Sequence, residues 1–213
     1  NYFPRHEYAI NGLRSLDRNS LATGMTGLTD NRRHPEQRLS EISHGEGSME
    51  RLAVYPGSFD PITNGHLDII KRGLRFFDKL IILVAYNPNK SGLFAIEERM
   101  ELIRQVVGDD PRIRVDSFSG LLVNYVRDSG AAVILRGLRA LSDFEYEFQM
   151  ALINRRLNRD IETVFLMTGY KWFYTSSNLI KEAAGHGGSV RGLVPEIVLQ
   201  RLQEKYADSF KKG

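Results

Sequence analysis

A serine and a histidine flank a glycine-rich turn that joins a predicted strand to a predicted helix. The turn runs from Tyr55 to His66 with the sequence YPGSFDPITNGH. Residues 51–55 form a short apolar run, and the apolar residues after the turn repeat at helical spacing. Because a helix start carries unpaired N–H groups and partial positive charge, such a corner favours an anion. Ser58 and His66 add a hydroxyl and an imidazole, so the corner suits a nucleotide phosphate.

Other residues of the turn strengthen this interpretation, because a lone histidine more often caps a helix or lies on a surface than binds a ligand. Gly57 and Gly65 permit close approach of the backbone to a ligand, and Asp60-Pro61 fixes a turn. The cluster lies where the first strand of an α/β sheet would end. The sequence has neither a Walker-type loop nor GxGxxG, which weakens the ordinary P-loop and dinucleotide-binding interpretations.

Three motifs, in this order, resemble those of bacterial phosphopantetheine adenylyltransferases, a family of the nucleotidylyltransferase superfamily. Residues 63–66 (TNGH) are similar to its T/HxGH signature. Residues 136–147 (RGLRALSDFEYE) resemble its RGLR…DFEYE segment, and residues 174–177 (YTSS) resemble its ISSS-type phosphate motif. The resemblance covers about residues 49–205. Three ordered motifs at compatible spacing are far more specific than TxGH alone.

The resemblance implies transfer of the adenylyl group of ATP to 4′-phosphopantetheine, giving dephospho-CoA and pyrophosphate in coenzyme A biosynthesis. The acceptor phosphate is already ionised at neutral pH, so catalysis should rest on positioning and electrostatic stabilisation rather than on a strong base. A homohexamer and feedback by CoA are also implied. Triphosphate chemistry implies Mg²⁺ bridging substrate oxygens, and no residue is assigned as a protein metal ligand.

The resemblance also implies roles for individual residues. His66 is the expected transition-state stabiliser at the α-phosphate, Lys90 is expected to orient the acceptor phosphate, and Arg139 joins them in the catalytic set. The residues expected to contact ATP are Ser58, Phe59, His66, Gly137, Leu138, Arg139, Glu147, Trp172, Phe173, Tyr174, Thr175, Ser176, Ser177 and Asn178. Those expected to contact the acceptor are Ser58, Lys90, Leu122 and Arg136.

Without the resemblance, plainer interpretations stay open for several of these residues. Lys90 could be a solvated loop lysine, Glu147 an exposed helix residue and Leu122 an ordinary helix-core residue. Trp172 could merely pack on a loop. Hydroxyls at a helix start suit the β- and γ-phosphates, although N-capping also explains Ser176 and its neighbour Ser177.

Three residues depart from the family pattern. Ser58 stands where many members have threonine, which keeps the hydroxyl. Thr175 and Asn178 replace the isoleucine and the last serine of the ISSS-type motif. We therefore expect altered triphosphate contacts rather than loss of activity.

Predicted strands and helices alternate along the chain from Met49. Strands are predicted over residues 51–55, 79–85, 113–115, 131–135 and 163–167, and helices over 66–77, 97–107, 121–127, 142–158, 176–184 and from Pro195. A capping box of Ser142 and Glu145 is expected to start the fourth helix. This alternation predicts a single-domain α/β fold, with a Rossmann-like, doubly wound parallel sheet of five strands.

Ligands of such sheets bind beyond the carboxyl ends of the strands. The candidate residues follow strands in this way: Ser58, residues 87–90, Arg136 and residues 168–177. Arg136 and Arg139 are predicted on a short loop after the fourth strand, where each guanidinium could hold a phosphate with two hydrogen bonds.

Composition is that of an ordinary globular protein, with 42% hydrophobic and 26% charged residues among 213. The net charge is only +3, and the basic residues are dispersed among acids, which argues against nucleic acid as a partner. The absence of cysteine excludes disulfides and zinc–thiolate sites. No apolar run of membrane-spanning length and no signal peptide is visible in the sequence. A soluble, cytoplasmic protein is expected, without a membrane partner.

Residues 1–48 precede the region of resemblance and end in Gly45-Glu46-Gly47-Ser48. We interpret Met49 as the natural start of the enzyme domain (49–213), and residues 1–48 as an extension, either a fused peptide with a Gly/Ser linker or a vector-derived or disordered segment. Its partner is unknown. Two alternative functions remain: an oligomeric carrier that displays this peptide, or adenylyl or cytidylyl transfer to another small phosphate. The RGLR…DFEYE segment argues against the second.

Overall fold

The computed structural model describes residues 50–85 and 92–207. The predictions made for residues 1–48, for Met49 and for Lys90 lie outside these ranges. In the part of the chain that is described, no helix is both long and apolar enough to span a bilayer.

Five parallel strands form one sheet in the order β3-β2-β1-β4-β5. The strands are β1 Leu52–Gly57, β2 Lys79–Ala85, β3 Ile113–Phe118, β4 Val133–Leu138 and β5 Glu162–Met167. The helices are α1 Asn64–Gly73, α2 Ile96–Val107, α3 Leu122–Asp128, α4 Leu141–Leu157, α5 Ser177–Gly185 and α6 Glu196–Lys205, with a 3₁₀ turn at Tyr170–Trp172. The predicted Rossmann-like five-stranded fold is confirmed.

The central strands are buried on both faces, so their side chains alternate between two apolar clusters. Tyr55 and Leu135 face one cluster, which is covered by α1, α2, α5 and α6. Val54 and Ile134 face the other, which is covered by α3. This arrangement explains the uninterrupted apolar runs in the sequence, because strands between two helical layers have no polar side.

β1 and β4 separate before their carboxyl ends. β1 pairs with β2 along its whole length, from Leu52 to Gly57. With β4 it pairs only at Ala53 and Val54. Two residues further along is Pro56, which has no N–H to donate to a ladder. A crevice therefore opens between the carboxyl halves of these two strands, where the strand order reverses.

Two predicted boundaries near this crevice are wrong. β4 pairs with β5 as far as Leu138, so Arg136 and Gly137 lie within the strand and not on a loop after it. Only two residues then separate β4 from α4, which begins at Leu141 with Ala140 as its N-cap and without a side-chain capping bond. Ser142 is therefore not the N-cap that the predicted capping box requires, because it already lies in the first turn of α4.

Smaller differences occur at other element ends. α1 begins at Asn64, two residues earlier than predicted, because Thr63 acts as its N-cap. β3 continues to Phe118 through its pairing with β2. Pro195 is the N-cap of α6 and not a residue of its first turn.

Gly73 allows the end of α1 to pack closely on the sheet. A Cβ atom at this position would lie 2.8 Å from Leu135 Cδ2 and 3.2 Å from Leu80 Cδ1. Both leucines are no more than 1% exposed, so neither has room to move away. Close packing of α1 matters for function because the other end of this helix carries His66.

We expect Gly73→Ala to destabilise the protein by about 1–3 kcal/mol through overpacking of the core. The measurement is the midpoint of urea unfolding, with an unchanged m-value. Gly185→Ala is the matched control, because a Cβ there would meet Tyr206 at an ordinary 3.5 Å. Equal midpoints for the two variants would contradict this account of α1 packing.

Candidate active site

The candidate residues gather at the carboxyl edge of the sheet, around the crevice between β1 and β4. Ser58 follows β1, His66 lies in the first turn of α1, and Arg136 lies in the carboxyl half of β4. Residues 168–177 follow β5. Open α/β sheets bind their ligands at such a point of reversed strand order. The structure thus brings four separate segments to one edge.

The orientation of His66 is fixed by Thr63. The Thr63 backbone N–H donates a hydrogen bond of 3.0 Å to His66 Nδ1, and the His66 backbone N–H donates one of 3.4 Å to Thr63 Oγ1. The two residues form a reciprocal cap, in which histidine takes the place of the usual acidic residue. Since Nδ1 accepts, the proton of the neutral ring is on Nε2. That N–H remains available to a ligand.

The surroundings of the ring keep it neutral. Burial, followed by the positive charges of Arg139 and Arg136, lowers the pKa of His66 to about 4. The edge of the ring packs against Phe59, with 5.0 Å between centroids, and Tyr55 lies beyond at 6.4 Å. At pH 7 the site therefore offers a neutral N–H donor in the electrostatic field of two guanidinium groups.

Arg136 spans the crevice and is already paired. Its Nη1 donates to the Pro56 carbonyl at 2.6 Å, and its Nε donates to Glu147 at 2.8 Å. A second, short bond joins Nη2 to the same carboxylate. Glu147 is only 13% exposed, so it is not the exposed helix residue that spacing alone allowed. Three of the five N–H donors of Arg136 are thus used inside the protein, which leaves two for a ligand.

Arg139 follows β4 and is held by α4. Its guanidinium donates to the Asp143 carboxylate at 3.0 and 3.4 Å and to the Thr175 carbonyl at 3.4 Å. Before it, Gly137 and Leu138 end β4. Leu138 is buried, and its carbonyl accepts hydrogen bonds from Thr168. Both arginines at this edge therefore have fixed directions before any ligand binds.

Phe59 is a buried residue that packs against the His66 ring. Its side chain is 1% exposed and its φ of 44° lies in the left-handed region. Glycine is needed at the nearby position 57, because a Cβ atom there would lie 2.9 Å from the Phe59 ring. Only the backbone of Phe59 can therefore face a ligand. Ser58 is exposed, and its carbonyl accepts a hydrogen bond from Arg99.

The helix starts offer fewer free donors than predicted. The first N–H of α1, at Asn64, donates to the Leu193 carbonyl, and the third, at His66, donates to Thr63. At α5, Ser176 Oγ accepts from the Leu179 N–H. The expectation that the backbone N–H groups at the start of α1 are unpaired is therefore wrong for Asn64 and His66, two of its first three residues. The His66 ring, rather than the backbone, supplies the donor there.

The segment after β5 combines aromatic side chains with buried anchors. Gly169 donates its N–H to Asp68 at 3.1 Å, and Thr175 is buried. Between these anchors Trp172 is half-buried, and Lys171 Nζ lies 4.8 Å from its ring centroid. The neighbouring positions assigned to ATP are exposed at Phe173, Tyr174 and Asn178.

Leu122, assigned to the acceptor, is the first residue of α3 and packs partly buried against the cluster around Val54. The helix-core interpretation therefore describes its packing. Its contact with an acceptor stays a prediction.

Sequence reasoning missed a buried ion cluster beside the site, because it assigned Asp60 only to a turn. The Asp60 carboxylate accepts the N–H groups of Leu93 at 3.0 Å and Phe94 at 2.9 Å, and Lys181 Nζ at 2.8 Å. Arg99 Nε lies 3.4 Å away. Burial alone would raise the pKa of Asp60, but these donors hold it below its ordinary value. The partners lie far apart in sequence, and only the Asp-Pro dipeptide hinted at a special position.

Comparison with known proteins gives one consistent answer. A family profile described as cytidylyltransferase-like matches residues 54–183. The phosphopantetheine adenylyltransferase of Syntrophus aciditrophicus is 69% identical over 158 residues, which cover 74% of this chain and 96% of that protein. The phosphopantetheine adenylyltransferase of Desulfatibacillum aliphaticivorans is 57% identical over 161 residues, which cover 76% of this chain and 92% of that protein.

A solved structure shares the fold at much lower sequence identity. The bifunctional NMN adenylyltransferase/ADP ribose pyrophosphatase of Francisella tularensis, complexed with AMP and a manganese ion, matches with a TM-score of 0.56. It is 16% identical, and the match covers 76% of this chain and 52% of that one. This likeness supports the fold alone.

The low pKa of His66 makes stability depend on pH. Its pKa is about 4 in the folded protein against an ordinary 6.5, so the unfolded chain binds the proton more readily. The contribution of His66 to stability is therefore complete above pH 6.5 and is lost as the pH falls toward 4, by up to about 3 kcal/mol. His66→Asn should remove this part of the pH dependence.

Urea unfolding at pH 7 and at pH 4.5 measures the effect. The control is His186→Asn, which removes an exposed histidine and should keep the wild-type loss of stability. An equal loss in wild type and in His66→Asn would show that the ring is not held neutral by the fold.

Proposed function

The chain belongs to the phosphopantetheine adenylyltransferase family, and on this basis we propose that it transfers the adenylyl group of ATP to 4′-phosphopantetheine. The products are dephospho-CoA and pyrophosphate, a step of coenzyme A biosynthesis. The observation that carries the proposal is the identity of 57–69% over nearly the whole length of relatives with this name. The geometry of the crevice supports it, because its donors suit phosphate.

The reaction is an in-line displacement. An oxygen of the acceptor phosphate attacks the α-phosphorus of ATP, and the bond to the bridging oxygen of the β-phosphate breaks as pyrophosphate leaves. His66 Nε2–H donates to a non-bridging oxygen of the α-phosphate, where negative charge must be stabilised in the transition state. A neutral imidazole suits this task, since the acceptor oxygen needs no base.

The two arginines supply directed positive charge. Arg136 keeps two N–H donors for the acceptor phosphate while Glu147 and Pro56 hold the rest of its guanidinium. Arg139, which is held by Asp143, is proposed to contact ATP. Donors fixed in advance need no reorganisation when the substrates react. Lys90 is proposed to orient the acceptor phosphate, and its assignment rests on the family resemblance and on its position in the sequence after β2.

Mg²⁺ is proposed to enter with the triphosphate. In the ranges 50–85 and 92–207, no three histidine or acidic side chains converge as a metal site. The crevice presents arginines, a histidine and hydroxyls, and its carboxylates are paired with the arginines: Glu147 with Arg136 and Asp143 with Arg139. This donor set fits an ion held mainly by phosphate oxygens and water. When bound, Mg²⁺ would neutralise charge on the leaving pyrophosphate.

We also propose a homohexamer, because α4 exposes apolar side chains on two opposite sides. At helical spacing one stripe comprises Phe144, Phe148 and Leu152, and the other comprises Tyr146, Ile153 and Leu157; all six are 45–65% exposed. Monomers rarely expose that much apolar surface. Two separate stripes can supply two kinds of contact, as a closed hexamer of dihedral symmetry needs.

CoA is proposed as a feedback ligand, since it contains the phosphopantetheine arm of the acceptor and can compete for the same crevice. We propose a cytoplasmic location, in keeping with a chain that has no cysteine. For residues 1–48 we retain the hypothesis that they are a fused peptide, whose partner is unidentified.

We expect the purified full chain to release pyrophosphate from ATP and Mg²⁺ with 4′-phosphopantetheine, and not with nicotinate mononucleotide or glycerol phosphate. His66→Ala should lower kcat about 10²–10³-fold, with the KM for ATP changed only a few-fold, because its bond strengthens in the transition state. His186→Ala is the control and should keep full turnover. Release with another acceptor only would sink the substrate assignment.

Assembly is tested by mass photometry of single substitutions on the two stripes. Leu152→Glu and Ile153→Glu should each break one kind of contact, so each should convert the hexamer into smaller closed species. Phe76→Glu is the control, because Phe76 is 55% exposed and lies outside α4. A monomeric wild type, or hexamers that survive both α4 substitutions, would refute this assembly.

A further inference from the structure

One buried carboxylate joins three segments around the crevice. Asp60 belongs to the turn after β1, accepts the N–H groups of Leu93 and Phe94 from the segment before α2, and accepts Lys181 Nζ from α5. The Asp60 side chain is 5% exposed and that of Lys181 is 25% exposed. Neither carboxylate oxygen is therefore free to serve a ligand.

A second contact joins α5 to the same turn. Ser177 Oγ donates a hydrogen bond of 2.8 Å to the Pro61 carbonyl. Ser177 and Lys181 are four residues apart, so they lie on one face of α5. Two attachments along one face fix the helix both along its axis and about it. The start of α5, where Ser176 lies, is thereby fixed relative to the turn.

The same turn leads directly to the histidine. Thr63, which holds the His66 ring, is three residues after Asp60. Any displacement of Asp60 is therefore carried to the residue that sets the direction of Nε2–H. Arg99 braces the turn from α2, donating to the carbonyls of Ser58 at 3.2 Å and Phe94 at 2.8 Å.

We propose that Lys181 and Asp60 are positioning residues. Their ion pair fixes α5, and with it Ser176 and Ser177 at the start of that helix, relative to the turn that leads to His66. This inference rests on the proposed adenylyl transfer. Neither residue acts on the reacting atoms. Lys181 acts through Asp60, so substitutions at the two residues should change the affinity for ATP in the same way.

Lys181→Met is the principal test, because Arg99 stays beside Asp60 and the carboxylate is not left without a cation. We expect the KM for ATP to rise about tenfold, with a smaller change in the KM for 4′-phosphopantetheine. Lys181→Arg, which can restore the pair, should recover the wild-type KM for ATP to within about threefold. The control is Lys79→Met, which removes an exposed lysine–carboxylate pair with Glu50.

Asp60→Asn separates positioning from direct binding. If Lys181 acts through Asp60, this variant should weaken ATP binding by about the same factor as Lys181→Met does. Should Asp60→Asn not fold, Asp60→Glu, which keeps the charge but displaces it, serves instead. Full ATP affinity in the Asp60 variant, with loss in Lys181→Met, would make Lys181 a direct ligand and overturn the proposal.

Calorimetric titration with ATP alone keeps this test distinct from that of the proposed reaction. If wild type binds ATP but turns over no acceptor, the proposed reaction fails, and a tenfold weaker Kd in Lys181→Met still supports the positioning role. If the KM or Kd for ATP in Lys181→Met stays within twofold of wild type, or if Lys181→Arg is no better than Lys181→Met, the proposal is wrong. Absence of ATP binding by wild type overturns both.

Discussion

The early separation of β1 from β4 is the constraint on which the site depends. Their ladder ends at Val54, while β1 continues with β2 and β4 continues with β5. Arg136 then crosses the gap to the Pro56 carbonyl, so a side chain takes over where backbone pairing stops. The crevice is open enough for a ligand because proline cannot extend the ladder, and it is held at a fixed width because arginine bridges it.

Electrostatics follow from that geometry. Three cations at this edge of the sheet have a carboxylate partner: Arg136 with Glu147, Arg139 with Asp143, and Lys181 with Asp60. Such pairing restricts the directions of the cations before substrate arrives. Burial is the main reason that the lowered pKa of His66 keeps the ring neutral, and the guanidinium groups of Arg139 and Arg136 add to it by opposing a third positive charge.

The sheet could be predicted from sequence because strands buried on both faces read as apolar runs, as in residues 79–85. The end of β4 could not be predicted, since Arg136 interrupts the apolar run, Gly137 is a poor strand former, and pairing with β5 keeps both extended. The motifs located His66, but its tautomer depends on a backbone N–H at Thr63. The Lys181–Asp60 pair spans 121 positions, and no local pattern reveals such a contact.

Phe59 shows what the placement of the histidine costs the fold. A non-glycine residue with φ of 44° is strained by about 1–2 kcal/mol, and that strain persists only where the surroundings enforce it. Glycine at this position would relieve the backbone but remove the ring that packs against His66. The turn is therefore a place where selection for greater stability and selection for turnover oppose each other. Stabilising substitutions should be sought in other parts of the protein.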